Sequence, residues 1–282
     1  FRRLAVGDEV FVGRTEDGSE GILVHPDGFG PGATDCDTFA FRTGRSRETA
    51  YSRDYDRLYE LLRYEKEHGY IVWVLGPAVV FDSDSKQAMV TLIENGYVDA
   101  ILAGNALATH DLEGALFQTA LGQDIYTQES KANGHYHHLD VLNRAREHGS
   151  LAEFVAANGI QDSVVEACVR TGVPMVLAGS IRDDGPLPEV FADVYAAQNA
   201  MRQHAKQATT VICLATQLHS IATGNMTPAY QVVEGVVRPV FIYSVDVSEF
   251  AVNKLKDRGS LSVTSIVTNI QDFLVHIQRQ LV

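Results

Sequence analysis

The residue types best suited to chemistry are gathered in one short stretch, Leu177-Ala-Gly-Ser-Ile-Arg-Asp-Asp-Gly-Pro-Leu-Pro188. The planar fork of Arg182 can grip a carboxylate with two parallel bonds. Asp183 and Asp184 can hold an ammonium group or move a proton. A buried apolar run, Val173 to Ala178, leads into them, and the turn closes at Gly185 and Pro186. Pro188 is placed to begin a helix. Strand, charged turn, helix is where an open α/β sheet puts its ligand. The plain alternative is that the three charges pin a loop by ion pairing.

Histidines form a second group. Gly134-His-Tyr-His-His138 carries three of the ten in the chain. His135 and His137 are expected to alternate as on an extended strand, and His135 or His138 to serve as acid, base or substrate-orienting group. His219, in Thr216-Gln-Leu-His-Ser-Ile-Ala-Thr-Gly-Asn225, follows a strand end directly. No Cys, Asp or Glu stands at metal-ligand spacing to these histidines, so no metal is expected.

Small or turn-forming residues recur where strands should stop: Gly76-Pro77, Gly104-Asn105, Gly179-Ser180 and Thr216. Glycine there lets a ligand approach the backbone, and the next helix offers free N–H groups to a phosphate. Asp246 closes Phe241-Ile-Tyr-Ser-Val-Asp, a place where nucleotide-binding sheets put a carboxylate for ribose hydroxyls. There is no GxGxxG, so a nucleotide-type cofactor and an unrelated small ligand both stay open.

Six apolar runs must position these groups: Ile71–Leu75, Val98–Ala103, Val173–Ala178, Val211–Ala215, Val240–Val245 and Ser262–Val267. Helical patterns lie between them. Tyr55, Leu58, Leu61 and Leu62 make a stripe ending at Gly69, and Met89, Leu92 and Ile93 another ending at Gly96. Two or three helices are expected over 110–171, one opened by the capping box Ser150-Leu-Ala-Glu153. A long helix is expected through Val190, Val194 and Met201, and a last one through Ile270, Phe273, Leu274, Ile277 and Leu281. The alternation predicts an α/β fold with one doubly wound, mostly parallel six-stranded sheet over 46–282. Residues 1–45 read as a small β-rich segment, the tail of an upstream domain, with a hairpin of Val10-Phe-Val and Ile22-Leu-Val-His around a Gly/Asp-rich turn.

Composition narrows the class. The net charge is −13, from 36 acidic against 23 basic residues, with no basic stripe for nucleic acid. No apolar run approaches the roughly 20 residues of a membrane span, and Phe1-Arg-Arg-Leu opens no signal peptide. Three scattered cysteines, Cys36, Cys168 and Cys213, suit a reducing cytoplasm.

Four stretches in order carry a resemblance: Leu102-Ala-Gly-Asn-Ala-Leu-Ala-Thr-His-Asp111, Gly134-His-Tyr-His-His-Leu139, Leu177 to Pro188, and Leu214 to Asn225. From about residue 40 onward the chain resembles the archaeal-type ornithine cyclodeaminases, known also as the conserved region of lysine-oxoglutarate reductase/saccharopine dehydrogenase bifunctional enzymes. The carboxyl-terminal domain of cyanobacterial arginine dihydrolases belongs to the same group. The resemblance implies a Rossmann-like fold similar to deoxyhypusine synthase and a bound NAD. It implies conversion of ornithine, or a related diamino acid, to proline, or a related cyclic imino acid, with loss of ammonia. Cofactor contacts would come from Gly76, Pro77, Gly104, Asn105, Ala106, Gly179, Ser180, Ile181, Thr216, Asp246, Thr268 and Asn269. Arg182, Asp183, Asp184, His135, His138 and His219 would serve catalysis, and a homodimer or tetramer would form. Asn133, Gln217, Asn269 and Phe81-Asp-Ser83 depart from the family's usual residues and bear on the substrate and adenosine pockets. An NAD-dependent dehydrogenase or imine reductase, and a silent NAD-binding regulatory subunit, are the competing expectations.

Overall fold

The strands are parallel and apolar because both of their faces are covered. In the computed structural model, which describes residues 6–9, 19–20, 53–248, 251 and 263–282, helix α1 (Arg53–His68) leads into β1 (Ile71–Leu75). All five residues of β1 are buried. Ile71, Trp73 and Leu75 join one hydrophobic cluster and Val72 and Val74 the other, so alternate residues feed opposite faces. The first cluster also takes in α2 (Ser83–Glu94), α3 (Asn105–Phe117) and the C-terminal helix α9 (Ile270–Leu281). The second is covered by Met201 and Ala205 of α7 (Val194–Ala205) and Met226 of α8 (Gln217–Met226). The compact unit containing all of this is Thr49–Val282. The two strands of the expected hairpin, residues 10–12 and 22–25, Cys36 and the loop 26–37 lie outside the described residues.

The remaining sheet strands are β2 (Ala100–Gly104), β5 (Met175–Ala178), β6 (Thr210–Leu214), β9 (Phe241–Asp246) and β10 (Val263–Val267). Their order is β10-β9-β6-β1-β2-β5 and every pairing is parallel. The chain therefore runs outward from β1 through β2 to β5, then returns to the other flank of β1. The expected six-stranded, doubly wound sheet is what forms, and its topological switch falls between β1 and β6. Between β2 and β5 stand a two-residue-per-strand hairpin, β3 (Thr119–Ala120) and β4 (Gln123–Asp124), and helices α4 (His137–His148), α5 (Leu151–Asn158) and α6 (Val164–Thr171). Ser150 opens α5 as expected, its side chain accepting from Glu153 N, a cap worth about 1 kcal/mol. A second hairpin, β7 (Tyr230–Val233) and β8 (Val236–Pro239), has no counterpart among the sequence expectations.

Two local expectations are corrected. The helix expected from Pro188 begins at Val194, because Phe191 pairs back along β5: Gly179 N donates to Phe191 O and Phe191 N to Leu177 O, each at 2.9 Å. That pairing keeps the backbone extended until Asp193, whose carboxylate accepts from Ala196 N and caps α7. Val190 accordingly packs on the core from outside the helix. His135 and His137 do not alternate on a strand. Gly134–Tyr136 form a 3-10 turn that runs into α4, with Asn133 left-handed at φ 60° and Gly134 pressed on the Gly122 backbone.

The amino-terminal edge of the sheet is tied down by polar bonds. Asp99 accepts from Ile71 N at 2.7 Å, and buried Glu65 accepts from Thr209 and from Arg238 of the β7–β8 hairpin. Cys168 and Cys213 are buried, and burial pushes both thiols up to about 12, which makes them packing residues. Among the described residues no helix is long and apolar enough to cross a membrane.

Candidate active site

The carboxyl-terminal edge, by contrast, is open. A cavity of about 510 Å³ lies there, with walls from Gly76 and Pro77 after β1, Gly104 to Leu107 at the end of β2, Ala178, Ser180 and Arg182 to Asp184 at the end of β5, and Thr216 and His219 after β6. That volume falls within the roughly 300–1,000 Å³ of ligand pockets. Phe81, Leu121 and Leu142 add apolar wall.

Backbone geometry explains why those positions are small. Gly76 N donates to Leu214 O at 2.8 Å, and a Cβ on Gly76 would collide with the carbonyl of Ala215. Ala215 is itself left-handed, at φ 49°, a conformation that costs a non-glycine residue energy and turns the chain sharply from β6 into α8. A Cβ on Gly104 would lie 3.1 Å from His219 Cε1, so glycine there gives the imidazole its seat. Burial lowers the pKa of His219 below its usual value, favouring the neutral ring.

The helix starts divide into two kinds. Side chains of Asp82, Ser150, Ser163, Asp193 and Asn269 cap α2, α5, α6, α7 and α9. Helices α3 and α8 begin at Gly104 and Thr216 with no side-chain cap, and both residues line the cavity. Helix α4 also starts uncapped, and its second residue, His138, reaches the same cavity. Uncapped N–H groups with the positive end of a helix dipole are suited to anions.

The charged turn is built from within. Asp183 accepts from Ser180 N at 2.9 Å and Ser180 Oγ at 3.0 Å. Asp184 Oδ2 lies 2.8 Å from His138 Nε2. Among the described residues the Arg182 guanidinium makes no ion pair, so it is available to a ligand. Asn105, only 3% exposed, holds the turn from below: its Nδ2 donates to Gly185 O at 2.8 Å, and its Oδ1 accepts from Leu187 N at 2.9 Å. The amide of Asn105 is thus spent on the protein.

Of the other residues singled out in the sequence, the structure places Arg182, Asp183, Asp184, His138, His219, Gly76, Pro77, Gly104, Asn105, Ala106, Ser180 and Thr216 on the cavity wall. Six stand apart from it. His135 is exposed and packs on Tyr136 with ring centroids 4.0 Å apart. Gly179 pairs with Phe191, and Ile181 is fully exposed. Asp246 ends β9 and accepts from Ser248 N at 2.9 Å, Thr268 N donates to Asp246 O at 3.1 Å, and Asn269 caps α9. The cavity also brings in Thr109 and His110, which the sequence did not single out. Starting α3 at Asn105 would have put His110 and Glu113 on one face, three residues apart.

The model of the arginine dihydrolase ArgZ-like, C-terminal, Rossmann-fold family matches residues 58–277. Ornithine cyclodeaminase of Methanopyrus kandleri is 43% identical over 225 residues, covering 80% of this chain and 52% of that protein. The bifunctional arginine dihydrolase/ornithine cyclodeaminase AgrE of Nostoc sp. is 40% identical over 223 residues, covering 79% of this chain and 30% of AgrE. An LOR/SDH-class protein of Methanococcus maripaludis S2 superposes with a TM-score of 0.76 at 36% identity, over 84% of this chain and 71% of that one. The ternary complex of AgrE with ornithine and NAD+ superposes with a TM-score of 0.71 at 38% identity, over 80% and 32%. The chain spans about half the length of the Methanopyrus enzyme it matches.

Proposed function

The chain belongs to the ArgZ-like C-terminal Rossmann family, and from that premise we propose that it binds NAD and converts ornithine, or a close diamino acid, to proline with release of ammonia. One observation carries the proposal: the uncapped starts of α3 and α8 meet at the switch-point cavity, whose wall also holds an unpaired arginine, two aspartates and several histidines. The relatives named ornithine cyclodeaminase, and the AgrE complex with ornithine and NAD+, supply the substrate and cofactor.

The chain's own residues suit that cofactor. The N–H groups after Gly104 and Thr216 would take its phosphates, and Gly76 and Gly104 allow it to approach the backbone. When bound, NAD+ would supply the acceptor that takes hydride from the α-carbon and gives it back to the cyclic imine. Arg182 would hold the substrate carboxylate in its fork. Asp183, fixed by Ser180, and Asp184, fixed by His138, would hold the ammonium groups. His219, kept neutral by burial, would accept a hydrogen bond or a proton at the edge of the same cavity. Phe81, Leu107, Leu121 and Leu142 would keep water from the reacting atoms.

Calorimetry with NAD+, followed by assays of proline, ammonia and free NADH with ornithine as substrate, tests this. NAD+ binding with proline and ammonia formed in equal amounts and no net NADH is expected. Net NADH would identify a dehydrogenase, binding without product a regulatory subunit, and no binding would overturn the proposal.

A further inference from the structure

His110 and Glu113 form a pair on the cavity wall that the roles above leave unused. His110 Nδ1 lies 2.7 Å from Glu113 Oε2. The Glu113 side chain is fully buried. Its other oxygen, Oε1, accepts from Thr119 Oγ1 at 2.8 Å and from Gly122 N at 3.1 Å. Burial by itself would push this carboxyl up, but the bonds from His110, Thr119 and Gly122 outweigh it and hold Glu113 below its usual range. An ionised carboxylate only accepts hydrogen bonds, so the hydrogen between the two residues belongs to His110 Nδ1. The Thr119 hydroxyl likewise donates to Glu113 and accepts from His137 Nδ1, 2.8 Å away. The tautomer of His110 is therefore set from behind.

In a neutral imidazole with hydrogen on Nδ1, the free electron pair is on Nε2. Among the described residues His110 Nε2 has no partner, and the ring lines the cavity, with Phe81 edge-on at 5.5 Å and the His138 ring at 6.2 Å. The His110–Glu113 bond lies within α3, and Thr119 and Gly122 already tie Glu113 to the β3–β4 hairpin, so the histidine is not needed to join the two. Among the described residues the other cavity histidines have no buried carboxylate behind them. His138 shares its Nε2 with Asp184, whose side chain is 61% exposed, and His219 has burial against its charged form. Only His110 has a buried carboxylate to balance an imidazolium, the arrangement that lets a histidine act as a base.

We propose that His110 is the proton carrier of the cyclodeamination, with Glu113 as the positioning residue behind it; this rests on the cyclodeaminase function proposed above. Nε2 takes a proton from a substrate ammonium group, whose N–H electron pair stays on nitrogen. The same proton returns from Nε2 to the departing nitrogen as the C–N bond breaks and its electron pair leaves with ammonia. No proton is gained or lost over the cycle at His110.

Three variants and one spectrum test this. His110→Asn keeps a donor toward Glu113 and removes the base, so NAD+ should still bind while single-turnover hydride transfer slows about 10²- to 10⁴-fold. His110→Ala should slow as much and recover in part with added imidazole. Glu113→Gln presents an amide that can donate, which should move the His110 hydrogen to Nε2 and cut turnover to within about tenfold of His110→Asn. Nitrogen-15 NMR of the unliganded protein should show the Nδ1–H form in wild type and a shift toward Nε2–H in Glu113→Gln. A wild-type Nε2–H form, or undiminished hydride transfer in His110→Asn with cofactor bound, would overturn the assignment. If wild type makes no proline, the cyclodeaminase function fails and with it the proton-carrier role, while the spectrum still decides whether Glu113 sets the tautomer.

Discussion

Asn105→Ala should loosen the Arg182–Asp184 turn while leaving the sheet intact. Asn105 makes two bonds to that turn, one to Leu187 N and one to Gly185 O. Leu187 is buried, so its N–H would be left unpaired at about 1–3 kcal/mol. Gly185 is half-buried and water can replace the lost donor, so that bond is worth about 0.5–1.5 kcal/mol. The two together come to about 1.5–4.5 kcal/mol. The turn keeps a second anchor, Arg146 Nε to Pro186 O at 3.0 Å, so it should open locally rather than detach. Local opening predicts amide exchange at Leu187 faster by about 10- to 2,000-fold, that energy expressed as an equilibrium constant. Strand β1 amides should stay as protected as before. Asn105→Asp retains the acceptor for Leu187 N and loses only the donor to Gly185 O, so Leu187 should remain protected in it. Hydrogen exchange read by mass spectrometry, beside ornithine turnover, measures both effects. If Leu187 exchanged at the wild-type rate in Asn105→Ala and turnover were unchanged, the turn would be held by something other than Asn105.

Gly104→Ala puts a methyl 3.1 Å from His219 Cε1, so the ring must yield by a few tenths of an ångström; turnover should fall with the melting temperature nearly unchanged. Gly76→Ala meets backbone instead, at Ala215 O, and differential scanning calorimetry should show a clear loss of stability with NAD+ binding. Burial depresses the proton affinity of His204 and His219 relative to their usual value of 6.5. The unfolded chain therefore takes up protons first: stability from these two rings is present above about pH 6.5 and lost as pH falls toward their lower folded values. Urea midpoints should drop across that window, and His204→Gln with His219→Gln should flatten the decline.

The sheet was legible in the sequence because its determinants are local. Ile71–Leu75, Val211–Leu214 and their neighbours are continuous apolar runs, and a strand covered on both faces needs nothing else to announce itself. Glycines at 76 and 104 marked strand ends for the same reason, and the resemblance motifs coincide with the cavity walls. Less legible were features decided by pairing partners far along the chain. Pro188 has the local signature of a helix start, yet Phe191 pairs with β5 and delays the helix to Val194. His135 to His138 look like an alternating strand until Gly134 packs on Gly122 and turns them into a helix start. His110 lies in the first resemblance stretch, Leu102 to Asp111, but nothing there marks it as a base. Its significance comes from Glu113 one turn away, from Thr119 and Gly122 in a hairpin the sequence does not advertise, and from His138 and Asp184 brought in by other elements. Sequence pattern by itself determined which segments form the six strands of the main sheet and which of their ends are open to a ligand, because those depend on each segment's own burial. Only the tertiary structure decided which side chains share the cavity and which way their hydrogens point, because those depend on bringing to one wall residues as far apart in the chain as Leu75 and His219, 144 positions.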